Sequence, residues 1–252
     1  KPALRVAGRE RDQQFIVVIA NEAPLAPGLL PGLVMRGAFG RGGEIRTRSE
    51  VKAIQRQGAH WEVETPAGTH RAPVLVNAAG AWAEQVGEWA GLAPLGIRPL
   101  RRTALTIDAP AGLDIDDWPE MVDIDETFYF KPDAGAILIS PADETPTPPV
   151  DAQPEDLDVA IGVDRFERAT GIDVRRVRAA WAGLRTFAPD RVFVAGFDPR
   201  AQGFFWLAGQ GGYGVQSSPA MAALTREWLA PGAPGGDRLL AFVDLAAKYA
   251  RE

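Results

Sequence analysis

A strand, a glycine-rich loop and a helix follow one another late in the 252-residue chain, and this succession constrains the fold most. FFWLA (204–208) has the composition of a strand, and GQGGYG (209–214) contains four glycines. A helix is predicted next, with Ser217 or Ser218 as its N-cap and Pro219 in its first turn. Glycines allow close approach of the backbone to a flat ligand, and free helix N–H groups favour negative charge. The pattern therefore indicates a site for a flavin, which gains negative charge on reduction, or a tight turn with no ligand.

The loop also matches a dinucleotide-binding spacing, but its context differs. Gly209, Gly211 and Gly214 fit G-x-G-x-x-G. A Rossmann fingerprint also needs a second strand that ends in an acidic residue about 20 positions later. The loop APGAPGGD (230–237) follows the helix at once. We therefore do not expect this loop alone to bind a dinucleotide.

Composition excludes several classes of function. The net charge of −6 and the absence of a long Lys/Arg cluster argue against nucleic-acid binding. The absence of cysteine excludes disulfides and thiolate catalysis. No apolar run approaches the roughly 18 residues of a membrane span. We expect a cytoplasmic protein, with peripheral association with the inner membrane as an alternative.

The two histidines do not point to a catalytic site. His60 and His70 flank a predicted hairpin with a PAGT turn, and we expect both to be exposed. A Ser-His-Asp triad and a histidine-based metal site are therefore not expected, and we predict no metal.

Alternating strand and helix patterns predict a mixed α/β chain. A three-stranded meander is expected over 44–57, 60–66 and 70–80, followed by a helix at 81–92. The remaining predicted elements are strands at 98–108, 119–125, 175–188 and 191–197, a hairpin at 128–140, and helices at 154–171 and 239–250.

Two further stretches point to a ligand. VNAAGAW (76–82) ends a buried strand in small residues, as though a ligand must pass over the strand end. AWAGLRTF (180–187) places Arg185 in an otherwise apolar strand, where an arginine is costly unless it pairs with an anion.

Five motifs in register resemble the flavin-dependent D-amino acid oxidase family, which includes glycine and sarcosine oxidases. They are VLVNAAGAW, PLRRTALT, FYFKPDAG, WAGLRTF and GFFWLAGQGGYGVQSS. The resemblance covers about residues 45–230, and within the family it is greatest to the D-arginine dehydrogenases of bacteria. It implies an α/β (α+β) fold with two domains. An FAD-binding domain of the glutathione-reductase-like type would comprise 1–95 and 189–232, an antiparallel-sheet substrate domain 96–188, and a tail helix 233–252.

The resemblance also implies an activity. FAD would be the cofactor, and a D-amino acid, basic or of broad type, would lose a hydride from Cα to flavin N5. The resulting imino acid would hydrolyse to a 2-oxo acid. Glycine or sarcosine oxidation is an alternative, as is a non-catalytic fragment or subunit that takes flavin from a partner chain. The electron acceptor, the choice between oxidase and dehydrogenase, and the oligomeric state stay open.

Site residues follow from the resemblance, position by position. Arg185, Arg102 and Tyr129 would bind the substrate carboxylate. The alternatives are a solvated charge at Arg102 and a packed aromatic at Tyr129. Gly212 and Gln216 would face the substrate amine and the flavin edge. Glu120 and Val122 would line the side-chain pocket, where Glu120 favours cationic substrates or is a surface residue. The residues expected at the cofactor are Val51, Ala78, Ala79, Gly80, Trp82, Gly183, Gln210, Gly211, Gly212, Tyr213, Gly214, Val215 and Gln216.

One part of the family pattern has no counterpart. The family begins with a strand, a G-x-G-x-x-G loop and a helix that bind ADP, and residues 1–44 do not match this unit. We therefore expect the chain as written to hold only part of an FAD site.

Overall fold

The computed structural model describes the backbone of residues 2–7, 15–20 and 43–229 and the side chains of residues 49–229. Predictions for other residues, including the tail helix at 233–252, lie outside these ranges. The chain forms two compact units, one of Lys1–Arg98 with Arg185–Glu252 and one of Pro99–Leu184. Within the described ranges, no helix is long and apolar enough to cross a membrane.

The first unit contains a six-stranded mixed sheet. With strands numbered along the chain, its order is β14 (Val194–Phe197), β15 (Phe204–Ala208), β7 (Val74–Ala78), β2 (Phe15–Ala20), β1 (Pro2–Ala7) and β3 (Gly43–Glu50). The three strands at its centre, β15, β7 and β2, are parallel, and the others pair antiparallel with their neighbours. The carboxyl ends of β7 and β15 therefore lie at the same edge of the sheet, which is where the small-residue and glycine-rich stretches begin.

The predicted meander is divided differently from the expectation. Its strands are β4 (Ala53–Gln57), β5 (His60–Thr65) and β6 (Gly68–Ala72), which form a separate antiparallel sheet. Pro73, which has no N–H to donate, separates β6 from β7, so one predicted strand contributes to two sheets.

The histidines also differ from each other. His60 is exposed, as predicted, but the expectation for His70 is wrong because this residue is 6% exposed. His70 pairs with the fully buried Val63 across the sheet, and β6 alternates so that His70 and Ala72 face inward.

Helix α1 (Ala83–Trp89) follows a 3-10 turn at Gly80–Trp82 and confirms the predicted helix. Gly87 lies against the fully buried Trp206 of β15: a Cβ at Gly87 would be 2.5 Å from Trp206 Cη2. The glycine therefore sets how closely α1 approaches the sheet.

The second unit is a sheet with one helix on it. Its order is β12 (Thr145–Pro146), β8 (Arg98–Asp108), β11 (Ala136–Ser140), β10 (Tyr129–Asp133) and β9 (Met121–Val122), and β13 (Val177–Phe187) also pairs with β8. Helix α2 (Asp156–Thr170) ends at Gly171, whose φ of 71° is left-handed. Phe166 of α2 and Phe130 of β10 meet edge to face at 5.1 Å within the core cluster. The predicted hairpin and helix are confirmed, and β9 is shorter than predicted.

Helix α3 (Gly214–Leu229) begins earlier than predicted. The N-cap assignment to Ser217 or Ser218 is wrong, and Pro219 lies in the second turn. Pro219 has no N–H to donate to the carbonyl of Val215, and the Ser218 hydroxyl donates to that carbonyl at 2.8 Å instead. The helix continues because a side chain replaces the missing main-chain bond.

Candidate functional site

The glycine loop, residues 209–213, connects β15 to α3 through left-handed backbone. Gly209, Gly211 and Gly212 have φ values of 74°, 58° and 100°, which residues with a Cβ rarely adopt. The Gly211 N–H donates to the carbonyl of Thr186 on β13 at 2.9 Å. The loop is therefore fixed to the end of β13.

Arg185 lies directly against this loop. A Cβ at Gly212 would be 2.9 Å from each of Cδ, Nε and Cζ of Arg185. Arg185 is half-buried near the end of β13. The structure thus brings together two residues that the sequence predicted for substrate binding, and it holds a guanidinium beside the loop that leads into α3.

Phe187 supports the loop and Arg191 lies over the Phe187 ring; neither residue was predicted. A Cβ at Gly211 would be 2.7 Å from Cε1 of Phe187, and Arg191 Cζ lies 4.0 Å from the centroid of the same ring. Phe187 is two residues after Arg185 on β13, so both side chains project from the same face of the strand. The two-residue spacing from Arg185 was therefore the sequence signal that could have identified Phe187.

The outer part of the loop, together with the first residues of α3, suits a flat, electron-accepting group. Tyr213 and Val215 are 55% and 71% exposed, and Gly212 and Gln216 are exposed as well. The Arg185 guanidinium and the first amides of α3 are positively charged or polarised. These donors fit the redox end of FAD, which gains negative charge on reduction. Gln210 and Gly214, also predicted at the cofactor, are half-buried in the same stretch.

The end of β7 forms a second tight turn. Asn77 is fully buried; its Nδ2 donates to the carbonyl of Ala83 at 2.8 Å, and its Oδ1 accepts from the Ala79 N–H at 3.3 Å. Gly80 has a φ of 54°. Asn77 was not singled out, although one polar residue in an apolar strand before a turn is a usable signal. Of the other residues predicted here, Ala78 is half-buried and Ala79, Trp82 and Val51 are buried.

In the second unit, strand register places three predicted residues on one face of the sheet. Tyr129 pairs with Val122 of β9 and with Ser140 of β11, and paired residues share a face. Leu138 of β11 pairs with Thr106 of β8, so Arg102, four residues earlier on β8, projects to this face too. The core residues Phe130 and Ile139 face the other way, toward α2. We call the face of Arg102, Tyr129 and Val122 the α2-distal face.

Arg102 is oriented by its own chain. Its Nε donates to the carbonyl of Asp143 at 2.8 Å, and its Nη2 donates to Glu144 Oε1 at 3.1 Å. The side chain is only 12% exposed, so Arg102 is not a solvated surface charge. Tyr129 is half-buried, Val122 is 57% exposed, and Glu120 and Gly183 are exposed.

Arg101 faces α2 and has a structural role. It pairs with Glu155, with Asp158 at 2.7 Å and with Asp143 at 3.7 Å. The hydrogen bond and charge of Arg101 lower the pKa of the Glu155 carboxyl, and the same hydrogen bond raises the pKa of Arg101. The adjacent Arg101 and Arg102 therefore project from opposite faces of β8, because side chains alternate along a strand.

Comparison with known proteins identifies a family for the chain. The sequence profile of the family described as "DAO: FAD dependent oxidoreductase" matches residues 17–228. FAD-dependent oxidoreductase domain-containing protein 1 of Xenopus laevis is 25% identical over 182 residues, which cover 63% of this chain and 35% of that protein. Glycine oxidase of Geobacillus kaustophilus is 27% identical over 208 residues, which cover 80% and 52%.

Solved structures show the same fold. L-alpha-glycerophosphate oxidase of Mycoplasma pneumoniae, solved with FAD bound, superposes with a TM-score of 0.70 at 16% identity over 84% of this chain and 59% of that chain. The matched region covers 35% and 52% of the two curated relatives named above, so the chain spans about half or less of their length. The profile, however, covers most of its own length. The chain therefore belongs to the DAO family of FAD dependent oxidoreductases, whose cofactor is FAD.

Proposed function

We propose that the chain carries the flavin-facing loop and the substrate-binding face of an FAD-dependent enzyme that oxidises α-amino acids, with D-amino acids as the first candidates. The observation that carries the proposal is the contact of Arg185 with Gly212 in the loop before α3. The contact supports the proposal because a guanidinium, which can bind a carboxylate, lies beside the loop that is proposed to face the redox end of FAD.

The residues act by position and charge. FAD supplies a hydride acceptor for the substrate Cα–H. Arg185 binds the substrate carboxylate, because a planar guanidinium can donate two parallel hydrogen bonds to it. Such a clamp restricts the orientation of Cα, and orientation supplies much of the catalysis when the reacting atoms are already in place. Gly212 and Gln216 are proposed at the substrate amine and the flavin edge.

Residues of the second unit form a separate part of the proposal. Arg102 and Tyr129 share the α2-distal face, and both are proposed to bind the carboxylate, with Val122 and Glu120 at the substrate side chain. Asp143 and Glu144 fix the Arg102 guanidinium, which reduces the entropy lost on binding. We also propose the glutathione-reductase-like FAD domain at 1–95 and 189–232 and the substrate domain at 96–188.

A second candidate is oxidation of glycine or an N-methylated glycine. The similarity to a protein named glycine oxidase favours it. Both candidates share the carboxylate and differ in the substituents on Cα and nitrogen. A substrate panel therefore separates them.

An anaerobic absorbance titration tests the function. The purified chain is mixed with FAD, freed of excess FAD, and scanned from 300 to 550 nm as D-arginine, D-alanine, D-glutamate, glycine and sarcosine are added. We expect bound flavin that bleaches with D-amino acids. Bleaching by glycine and sarcosine alone favours the second candidate, and bound flavin that bleaches with none contradicts both.

A paired variant tests the carboxylate clamp. Arg185→Ala should raise KM by orders of magnitude, because it removes the guanidinium proposed to clamp the substrate carboxylate. Arg178→Ala is the control, since this residue on the same strand makes an exposed ion pair with Asp108. An unchanged KM in flavin-loaded Arg185→Ala contradicts the assignment.

A further inference from the structure

We propose that Lys131 selects amino acid substrates that carry a second anionic group, so that the preferred substrate class is dicarboxylic amino acids. This inference rests on the proposed function and assigns a role to a residue that the resemblance left unassigned. Four features of the second unit support it: strand placement, burial, charge and spacing.

Lys131 projects from the same face as the proposed carboxylate site. It is two residues after Tyr129 on β10 and pairs with Leu138, as Tyr129 pairs with Ser140. Residues two apart on a strand share a face and lie about 7 Å apart. Lys131 therefore belongs to the α2-distal face, next to Tyr129.

Lys131 adds a positive charge to this face. Arg102 has Glu144 as an ion-pair partner at 3.1 Å. Within the side chains that the structure describes (49–229), no ion pair involves Lys131. Lys131 is nevertheless half-buried. A partly desolvated ammonium group gains more from an anion than an exposed one does.

Three carboxylates on the same face could oppose this preference: Asp133, Glu120 and Asp108, and the last of these already pairs with the exposed Arg178. Asp133 is two residues further along β10, and Glu120 falls opposite Lys131 when the register of β9 and β10 is extended by one residue. Both are exposed. Solvent and salt screen exposed charges more than partly buried ones, so we expect the charge of Lys131 to dominate.

The spacing of the face suits two carboxylates. By register, Ala104 lies opposite Ser140, and these small buried residues separate Arg102 from Tyr129. A carboxylate above them is within reach of both longer side chains. Lys131 lies on the other side of Tyr129, at the position for a second carboxylate on the substrate side chain.

The test compares isosteric substrates and a charge-removing variant. Flavin-loaded wild type and Lys131→Met are assayed with D-glutamate and D-glutamine, with Lys52→Met, an exposed lysine paired with Glu50, as the control. We expect kcat/KM for D-glutamate to fall about tenfold or more in Lys131→Met, the effect of losing a charge-assisted hydrogen bond. D-Glutamine and the control variant should be unaffected. Glu120→Gln should change the preference in the opposite direction.

The outcomes separate this inference from the proposed function. Equal losses with both substrates, or no preference for D-glutamate in wild type, overturn the role of Lys131 while amino acid oxidation stands. If flavin-loaded wild type oxidises no amino acid, the function fails. Calorimetric binding of glutarate and butyrate to the chain then tests Lys131 alone. Weaker binding of glutarate by Lys131→Met supports the second-anion site, and equal binding of the two acids overturns it.

Discussion

At the scale of single residues, the glycine loop depends on two close contacts. Gly211 lies against the ring of Phe187 and Gly212 against the side chain of Arg185, both in left-handed backbone. The space that a Cβ would need is filled by the protein itself. One side of the loop therefore packs against β13, and Tyr213, with Val215 at the start of α3, is exposed on the other side. The packing against β13 explains how a loop with so few side chains can be well defined.

Replacement of Gly212 tests this account. Gly212→Ala puts a Cβ 2.9 Å from Arg185 and forces a φ near 100° on a residue with a side chain. We expect the free energy of unfolding to fall by about 1–3 kcal/mol, the usual cost of such backbone strain. Urea denaturation of Gly212→Ala and wild type measures this change in the free energy of unfolding.

A matched control lies two residues away. Gly214 is the first residue of α3, and a Cβ there meets Gln210 only at an ordinary 3.5 Å. Gly214→Ala should be neutral or stabilising by up to about 1 kcal/mol. Equal losses in the two variants would contradict the specific role of the Arg185–Gly212 contact.

The ion pairs of Arg101 predict a pH dependence. Because Arg101 lowers the pKa of Glu155 below its value in the unfolded chain, the pair stabilises the fold above that unfolded value. The contribution is lost as the pH falls through the lowered pKa. Glu155→Gln should therefore lower the urea midpoint at neutral pH and converge with wild type at acid pH.

A surface pair on helix α2, which begins directly after Glu155, is the control. Asp164 and Arg168 form an exposed pair at 3.1 Å, and such pairs contribute little to stability. Asp164→Asn should change the midpoint little at any pH. A difference for Glu155→Gln that grows toward acid pH would contradict the assignment.

At the residue scale, the sequence singles out positions at which a residue type is energetically costly. An arginine in an apolar strand singled out Arg185, and glycines in succession singled out the loop, so their proximity could be anticipated. Phe187 and Asn77 give weaker signals, because a strand aromatic is ordinary and a polar residue in an apolar strand does not reveal which groups it bonds. Their contacts depend on which strands become neighbours.

At the scale of secondary structure, Gly87 sets the approach of α1 to the sheet. Intrinsic helix propensity favours alanine over glycine by about 1 kcal/mol. A Cβ at 2.5 Å from Trp206 costs about 1–3 kcal/mol in overpacking. We expect Gly87→Ala to be destabilising by about 1 kcal/mol, as measured by thermal denaturation. Its neighbour Glu88 is exposed, so Glu88→Ala should stay within about 0.5 kcal/mol. A stabilised Gly87→Ala would show that propensity outweighs packing.

The elements themselves were predictable from pattern, but their boundaries were not. The hairpin around residues 133–136 and helix α2 follow from turn residues and apolar spacing. The division of one apolar run into β6 and β7 depends on Pro73 and on pairing with distant strands. The early start of α3 depends on the Ser218 hydroxyl, which offsets the bond that Pro219 lacks. Residue preferences do not predict these boundaries, because the boundaries depend on local hydrogen bonds and on contacts with distant strands.

At the scale of the whole molecule, the two compact units have separate cores. Trp61, Phe204 and Trp206 meet edge to face in the first unit. Phe130, Phe166 and Leu105 belong to the core of the second. The glycine loop and Arg185 belong to the first unit, and the α2-distal face to the second. A chain with two cores is expected to unfold in more than one step, because each core loses its packing independently.

Calorimetry with and without FAD tests this division. We expect two thermal transitions. Phe166→Ala should lower the temperature of only the transition that belongs to Pro99–Leu184, because truncation of a buried phenylalanine costs about 3–5 kcal/mol. FAD bound by the loop should raise the temperature of the other transition. Binding to the folded state alone adds about 2.7 kcal/mol to the free energy of unfolding when the FAD concentration is one hundred times Kd. Gly87→Ala identifies that transition independently, because Gly87 and Trp206 both lie in the first unit. If FAD raises the transition that Phe166→Ala lowers, the flavin contacts of the second unit carry the binding, and the assignment of the glycine loop to FAD fails.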